Sequence, residues 1–310
     1  VYQSRRSASY PEHVYQATLD NATRAELVEG GNGIVQAAIG VPFPVPKDGL
    51  EAIWNHILRW RFEGGVLRSG EAVVNRDGKY SLAITKQEIA MDYYTAGSFE
   101  RLDNIIVRYL GITKTPARLA GGATLVHETL NQSEADGGVP RQAWAYSPGQ
   151  RRVRRAPTLA FDTPSTEAEG LSTIDEFDMY NGSPQRYSWK LRGKKEIYIP
   201  YNNYQLGSGQ LKYDDILHAG HVNPDYTRYE LHRVWVVEAS LKEGLRHIYP
   251  KRTFFMDEDS WSVVLTDQYN DRDELWRTSF SYVKNFYEIP TTFATVNIHH
   301  DVQAKRYFAT

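Results

Sequence analysis

Two histidines, His218 and His221, stand three residues apart in a stretch that also carries Asp214, Asp215 and Asp225. A zinc held there needs a third and fourth donor delivered by the fold. The spacing is far less specific than a helical HExxH motif, and the Gly, Asn and Pro around it mark a loop. His299-His300-Asp301 sends its two imidazoles to opposite faces if the segment is a strand, which disfavours chelation. Asp257, Glu258 and Asp259 are carboxylates of the type that perform glycoside chemistry. Consecutive acids in a turn are, however, expected to be solvated and to titrate normally. Asp267, Asn270, Asp271, Asp273 and Glu274 lack the glycine and spacing of an EF-hand and read as a hairpin turn. Ser4, Ser7 and Ser9 have no GxSxG context, and Gly30-Gly31-Asn32-Gly33 has no strand–GxGxxG–helix setting. No constellation makes an active site. The expectation is a non-enzymatic protein with no cofactor and no metal.

The elements that position these residues follow from length, composition and pattern. The 310 residues are ample for a large core, with 41% hydrophobic and 24% charged side chains. A formal net charge of −2 argues against a general attraction to nucleic acid. The 21 Tyr and 7 Trp suit strands and surfaces where an apolar body meets a polar edge. With no cysteine, thiolate zinc, iron–sulfur clusters and thiol catalysis are excluded. No apolar run is long enough to span a bilayer as a helix. The chain begins at Val1 without methionine, as a processed or trimmed product does; a removed signal peptide is one explanation.

The pattern predicts a mainly β protein of the α+β kind, built on a large antiparallel sheet. Residues 228–277 read as successive strands separated by polar turns at Lys242-Glu243-Gly244, Asp257-Glu258-Asp259 and Asn270-Asp271-Arg272-Asp273. Tyr229, Leu231, Val234 and Val236 form one period-two face, with a slip near His232-Arg233. Arg76-Asp77-Gly78 between alternating segments predicts a hairpin. The clearest helix spans 49–62, capped by Asp48, striped by Leu50, Ile53, Trp54, Ile57 and Leu58, and ended by Gly64-Gly65. Strands at 102–110, 123–130 and 143–146 continue the antiparallel succession. Residues 187–204 read as two strands about a Gly193 turn. Residues 171–181 include a short helix, with Ser172 or Thr173 as its cap and Glu176 three or four residues on. The whole chain, 1–310, reads as one domain, with a flexible arm at about 1–20 and a loop-rich insertion at about 158–225.

The densest basic run is Arg151-Arg152-Val153-Arg154-Arg155. It serves either as a patch for phosphates, lipid headgroups or an acidic partner, or as a strand whose arginines pair with the acids that follow. The stretch from Ala143-Trp144-Ala145-Tyr146 through this run resembles outer-membrane lipoprotein-sorting-like proteins. So do 251–261 and 267–277, with Asp and Trp at the strand starts and a closing Arg277. Together with 41–61 and 196–204, the pattern resembles a family of unknown function, numbered 1329, in the LolA/LolB-like superfamily.

That resemblance implies an incomplete antiparallel β-barrel, closed by a few helices around an apolar cavity. It also implies a Gram-negative periplasmic protein, in some cases associated with the outer membrane. The function expected on this basis is carriage of a lipid, a lipoprotein acyl chain or another hydrophobic molecule. The alternative is an accessory protein of an envelope or export complex that holds no ligand. Trp54, Ile57, Leu58, Trp144, Trp235 and Trp261 are the candidate cavity or lid residues. Arg151, Arg152, Arg154 and Arg155 are the candidates for an anionic headgroup, a membrane surface or a protein partner.

Overall fold

A computed structural model describes residues 1–156, 161–165 and 167–310 of the protein. It opens with α1 (Glu12–Arg24), a small ladder of β1 (Glu26–Leu27) and β2 (Ile34–Val35), and α2 (Gly49–Leu58). Next come β3 (Gly64–Val74), β4 (Tyr80–Ala90), α3 (Asp92–Thr95), β5 (Ile105–Thr115), β6 (Ala123–Thr129), β7 (Gln142–Ser147) and β8 (Arg152–Arg155). After a buried stretch come β9 (Tyr187–Pro200), α4 (Tyr213–Ile216), β10 (Leu217–His218) and β11 (His221–Val222). The chain closes with β12 (Tyr229–Leu241), β13 (Lys251–Asp257), β14 (Val263–Tyr269), β15 (Leu275–Phe286), β16 (Thr291–Asp301) and β17 (Arg306–Ala309). Thirteen strands make one antiparallel sheet in the order β8-β7-β6-β5-β4-β3-β17-β16-β15-β14-β13-β12-β9. The last strand therefore pairs with β3 in the middle, Phe308 opposite Val73. The sheet does not close, which is the incomplete barrel expected from the sequence.

Helix α2 lies against β9 and β12. The Asp48 carboxylate accepts the Glu51 N–H at 2.9 Å, and Glu51 reaches back to the Lys47 N–H at 2.7 Å. These bonds satisfy two donors around the helix start. Asn55 grips both backbone groups of Phe43, tying the proline-rich segment to the helix. Every residue of α2 except Leu50 is buried. It is a core element wrapped on all sides, where the pattern had suggested a helix with one apolar stripe. The chain leaves the helix at Arg59, and Gly64-Gly65 open β3 instead of ending α2.

Three further local readings are corrected. Residues 187–200 form one continuous strand, and Gly193 at φ +92° serves a bulge where Trp235 pairs with Lys194 but Val237 with Leu191. The slip in β12 thus lies at Trp235/Val237, two residues beyond His232-Arg233. Its buried face is Glu230, His232, Val234 and Val236, while Leu231 is exposed. Hydrogen bonds from Asn202, Arg228 and the Arg5 N–H let Glu230 be buried there. At the N-terminus, residues 12–24 are helical within the expected arm, with Asn21 buried and bonded to the carbonyls of Ala38 and Gly40. Tyr2 bridges Glu230 ahead of this helix, so the first residues run along β12.

The stretch 158–225 divides between the two faces of the sheet. Ala168 and Leu171 pack on Val73 and Phe308, and the 3-10 turn Ile174–Met179 reaches β14, β15 and β16. The expected exposed loop at 158–169 lies partly outside the described residues, and its described part carries the buried Ala168. Beyond β9, Leu206, Leu217 and Val222 pack on Ala72, Val74, Tyr282 and Tyr307, whose side chains alternate with the first set. The central strands are therefore covered on both faces. Trp54 fills the centre of the main core, 1% exposed, with its indole N–H donated to the Gly31 carbonyl at 3.1 Å. Trp54→Ala is expected to cost about 3–5 kcal/mol, against about 1 kcal/mol for Asp48→Ala, both measured by denaturant unfolding.

Candidate functional site

The residues singled out in the sequence fall in three separate places. Trp54, Ile57 and Leu58 belong to the main core, with Met256, Val263 and Trp261. Trp235 stacks on Trp261, ring centroids 6.2 Å apart, and Lys194 lies over Trp235 at 4.2 Å. Trp144 stands apart on the far half of the sheet, edge-on to His127. There the register aligns Leu110, Leu125, Trp144 and Arg155 as successive cross-strand partners from β5 to β8. A second row runs Ile112, Ala123, Tyr146 and Val153 beside it. Because alternate residues point the same way, both rows share one face, and Trp144 meets the basic run at Arg155. Arg151, Arg152, Arg154 and Arg155 are exposed on or beside the edge strand. Arg154 bonds Gln150 at 3.0 Å, and among the described residues no carboxylate pairs with any of the four. The strand forms as read, but the pairing with acids does not.

A polar network fills the concave side near α2. The Asp178 carboxylate accepts two bonds from Arg59, at 2.7 and 2.8 Å, and one from Arg61 at 2.8 Å. Burial alone would raise this carboxyl, but the two guanidinium groups outweigh it and hold it at about 2. His56 donates from Nε2 to the Asp178 carbonyl at 2.9 Å, while Nδ1 accepts the Val263 N–H at 3.1 Å. Burial, seconded by the charge of Arg59, pushes its pKa down to about 3, so the ring is neutral. One turn earlier, Asp175 takes Arg252 at 2.7 Å and His247 at 3.2 Å. Arg252 is fully buried against the rings of Tyr180, Tyr187 and Tyr249. Glu176 accepts from Tyr249, Gln268 and Thr173. The capping box at Thr173–Glu176 was legible in sequence; its acids' partners, 70 or more positions away, were not.

A smaller cluster lies at the β13–β14 turn. His232, Asp257 and Asp259 bring ligand-type atoms within 4.8 Å of one another. Asp257 is fully buried, and burial pushes its pKa up to about 6, against the expectation that this acidic turn is solvated with ordinary acids. The other sequence candidates have plain roles. His218 and His221 face each other across a two-residue hairpin turn, exposed, and His299 and His300 take opposite faces of β16. Asn270 accepts the N–H groups of Arg272 and Glu274, as a turn residue does.

A family model described as a protein of unknown function, DUF1329, matches residues 1–310. The chain belongs to the DUF1329 family. An uncharacterized protein of Pseudomonas aeruginosa is 47% identical over 316 residues, covering 100% of this chain and 67% of that protein. Among solved structures, one described as an outer membrane lipoprotein-sorting protein domain from Vibrio parahaemolyticus superposes with a TM-score of 0.55 at 14% identity. The match covers 84% of this chain and 88% of that one. A DUF1329 family protein from Desulfovibrio piger gives 0.52 at 15% identity, covering 80% and 82%. The DUF1329 chain thus has the LolA-like, lipoprotein-sorting-like fold. Among its described residues no helix is long and apolar enough to cross a membrane.

The buried ring of His56 sets an acid limit on stability. Unfolded, it takes up a proton as pH falls through 6.5; folded, it stays neutral down to about 3. Its contribution is therefore complete above pH 6.5 and is lost between 6.5 and 3, by about 1.4 kcal/mol per pH unit. The change in denaturant midpoint from pH 7 to 5 should be less favourable in the natural chain than in His56→Gln, since buried carboxyls such as Asp257 act in the opposite sense in both proteins, and the variant should be less stable at pH 7. An equally steep slope in the variant would assign the acid sensitivity elsewhere.

Proposed function

We propose that this protein is a non-enzymatic periplasmic carrier for an anionic amphiphile, which it holds on the open half of the sheet. The observation that carries this reading is the cross-strand row Leu110–Leu125–Trp144–Arg155. An acyl chain laid along the row gains about 0.8 kcal/mol per methylene removed from water. Arg155, exposed at its end and without a carboxylate partner among the described residues, meets the headgroup, where charge-assisted hydrogen bonds to phosphate or carboxylate are strongest. The lipoprotein-sorting-like fold supports the same class of cargo, and a periplasmic setting with it. Trp54, Ile57, Leu58 and Trp261 then serve the core that supports the sheet, and Trp144 touches the ligand.

The filled concave side favours a second reading, an accessory protein of an envelope complex that uses the same apolar and basic face for a protein partner. A pocket of about 130 Å³ beside the N-terminal arm, lined by Arg5, Ser7, Asn202, Tyr204, Arg228 and Tyr287, is too small and polar for an acyl chain. Native mass spectrometry with lipid extraction, on protein purified from an envelope fraction, separates the two readings. The carrier retains a stoichiometric acyl ligand. Trp144→Ala removes about 2 kcal/mol of apolar contact and weakens a fluorescent fatty-acid probe about thirty-fold, and Arg155→Glu weakens it further. Protein free of ligand that also ignores the probe would sink the carrier and direct the search to a partner.

A further inference from the structure

The β13–β14 turn carries chemistry that neither packing nor lipid binding requires. His232 is 4% exposed and donates from Nε2 to Glu230 Oε2 at 3.1 Å. Its other ring nitrogen, Nδ1, lies 3.8 Å from Asp257 Oδ1. Asp257 Oδ2 is satisfied by the Ser260 N–H at 2.9 Å, the Ser260 hydroxyl at 2.6 Å and the Tyr201 hydroxyl at 3.3 Å. Asp257 Oδ1, in a side chain 0% exposed, has no hydrogen-bond partner among the described residues. An imidazole nitrogen and an unpartnered carboxylate oxygen thus stand beside each other in a buried site, where an unmet acceptor costs free energy that a cation between them would offset. Their separation is too long for a hydrogen bond. It is close to the roughly 3.4 Å between two donors on a tetrahedral zinc, whose bonds are about 2.0–2.2 Å. Tyr201, stacked on the imidazole with centroids 4.1 Å apart, fixes the ring plane. The Glu230–His232 bond is the outer-shell carboxylate that orients a metal-bound histidine.

We propose that His232, Asp257 and Asp259 form a binding site for one divalent cation of the zinc type. A donor set of one imidazole and two carboxylates suits such an ion and leaves a fourth position for water. Arg6 is the built-in competitor. Its guanidinium holds both oxygens of Asp259, yet its side chain is 63% exposed, so the pair is readily exchanged. Bound, the ion joins β12 to the β13–β14 turn and releases Arg6 from it.

Isothermal titration of the full chain with Zn²⁺ after chelator dialysis, with native mass spectrometry for stoichiometry, tests the site. One ion per chain is expected. Asp257→Asn and His232→Gln weaken binding at least about 100-fold, and Glu230→Gln about 10–100-fold as an outer-shell partner does. Arg6→Ala tightens binding. Should the buried variants fail to fold, Asp259→Asn, at a half-buried position, and Arg6→Ala, at an exposed one, give opposite shifts on their own. A chain that binds no zinc overturns the proposal. So does binding that survives Asp257→Asn but disappears in a His218→Ala/His221→Ala double variant, because it then belongs to the exposed hairpin pair.

Discussion

Two buried guanidinium–carboxylate pairs hold the concave side together. Asp178 with Arg59 and Arg61 ties the 3-10 turn to the end of α2, and Asp175 with Arg252 ties the same turn to β13. Each acid is buried, so neither pair can open without leaving a charge in a low-dielectric interior, a loss of about 3–5 kcal/mol when one partner is removed. The turn includes Asp178 and Met179 at positive φ, conformations costly for residues with a Cβ. The ion pairs are what over-determine that backbone. Helix, turn and sheet are fixed relative to one another by the same few bonds.

This arrangement changes where a ligand can sit. A LolA-like half-barrel invites the idea of an apolar cavity on its concave side, yet here α2 and the turn occupy that volume with aromatic rings and paired charges. Tyr180, Trp189 and Phe254 pack against one another with centroids 5.4–5.8 Å apart, leaving the contacts of a dense interior. Among the described residues, the β5–β8 half shows no such cover, and its two apolar rows end on Arg155 and Val153 of the edge strand. Fold and function therefore separate: the shared architecture supplies the sheet, and α2 with the 3-10 turn decides which part of it is available.

The N-terminal residues bear on the opposite edge. Tyr2, Arg5, Arg6 and Ser7 bond to β12, to the β13–β14 turn and to Asn202, so a segment that composition marks as a loose arm is organised by side chains more than 190 positions away. Its charges also shape the His232–Asp257–Asp259 cluster, because Arg6 supplies the cation that Asp259 lacks within its own turn.

What the sequence by itself determined was local. The Asp48 cap, the Thr173–Glu176 box, the Asp-Gly hairpin and most strands were readable because each depends on neighbours within a few residues and on periods of 2.0 or 3.6. Family motifs added the incomplete barrel. Helix α1 left only a weak signal, Pro11 before Glu12, since its apolar stripe is thin. Gly193 looked like a turn because a glycine at positive φ serves turns and bulges alike, and only pairing with β12 distinguishes them. Asp257 looked solvated because acids in a turn usually are. Its burial depends on His232, Tyr201 and the returning arm, and no short-range rule brings those together. The tertiary structure alone decided which side of the sheet is filled, which is open, and which charges are buried with a partner, because these follow from contacts between segments that the chain separates by 77 to 253 positions.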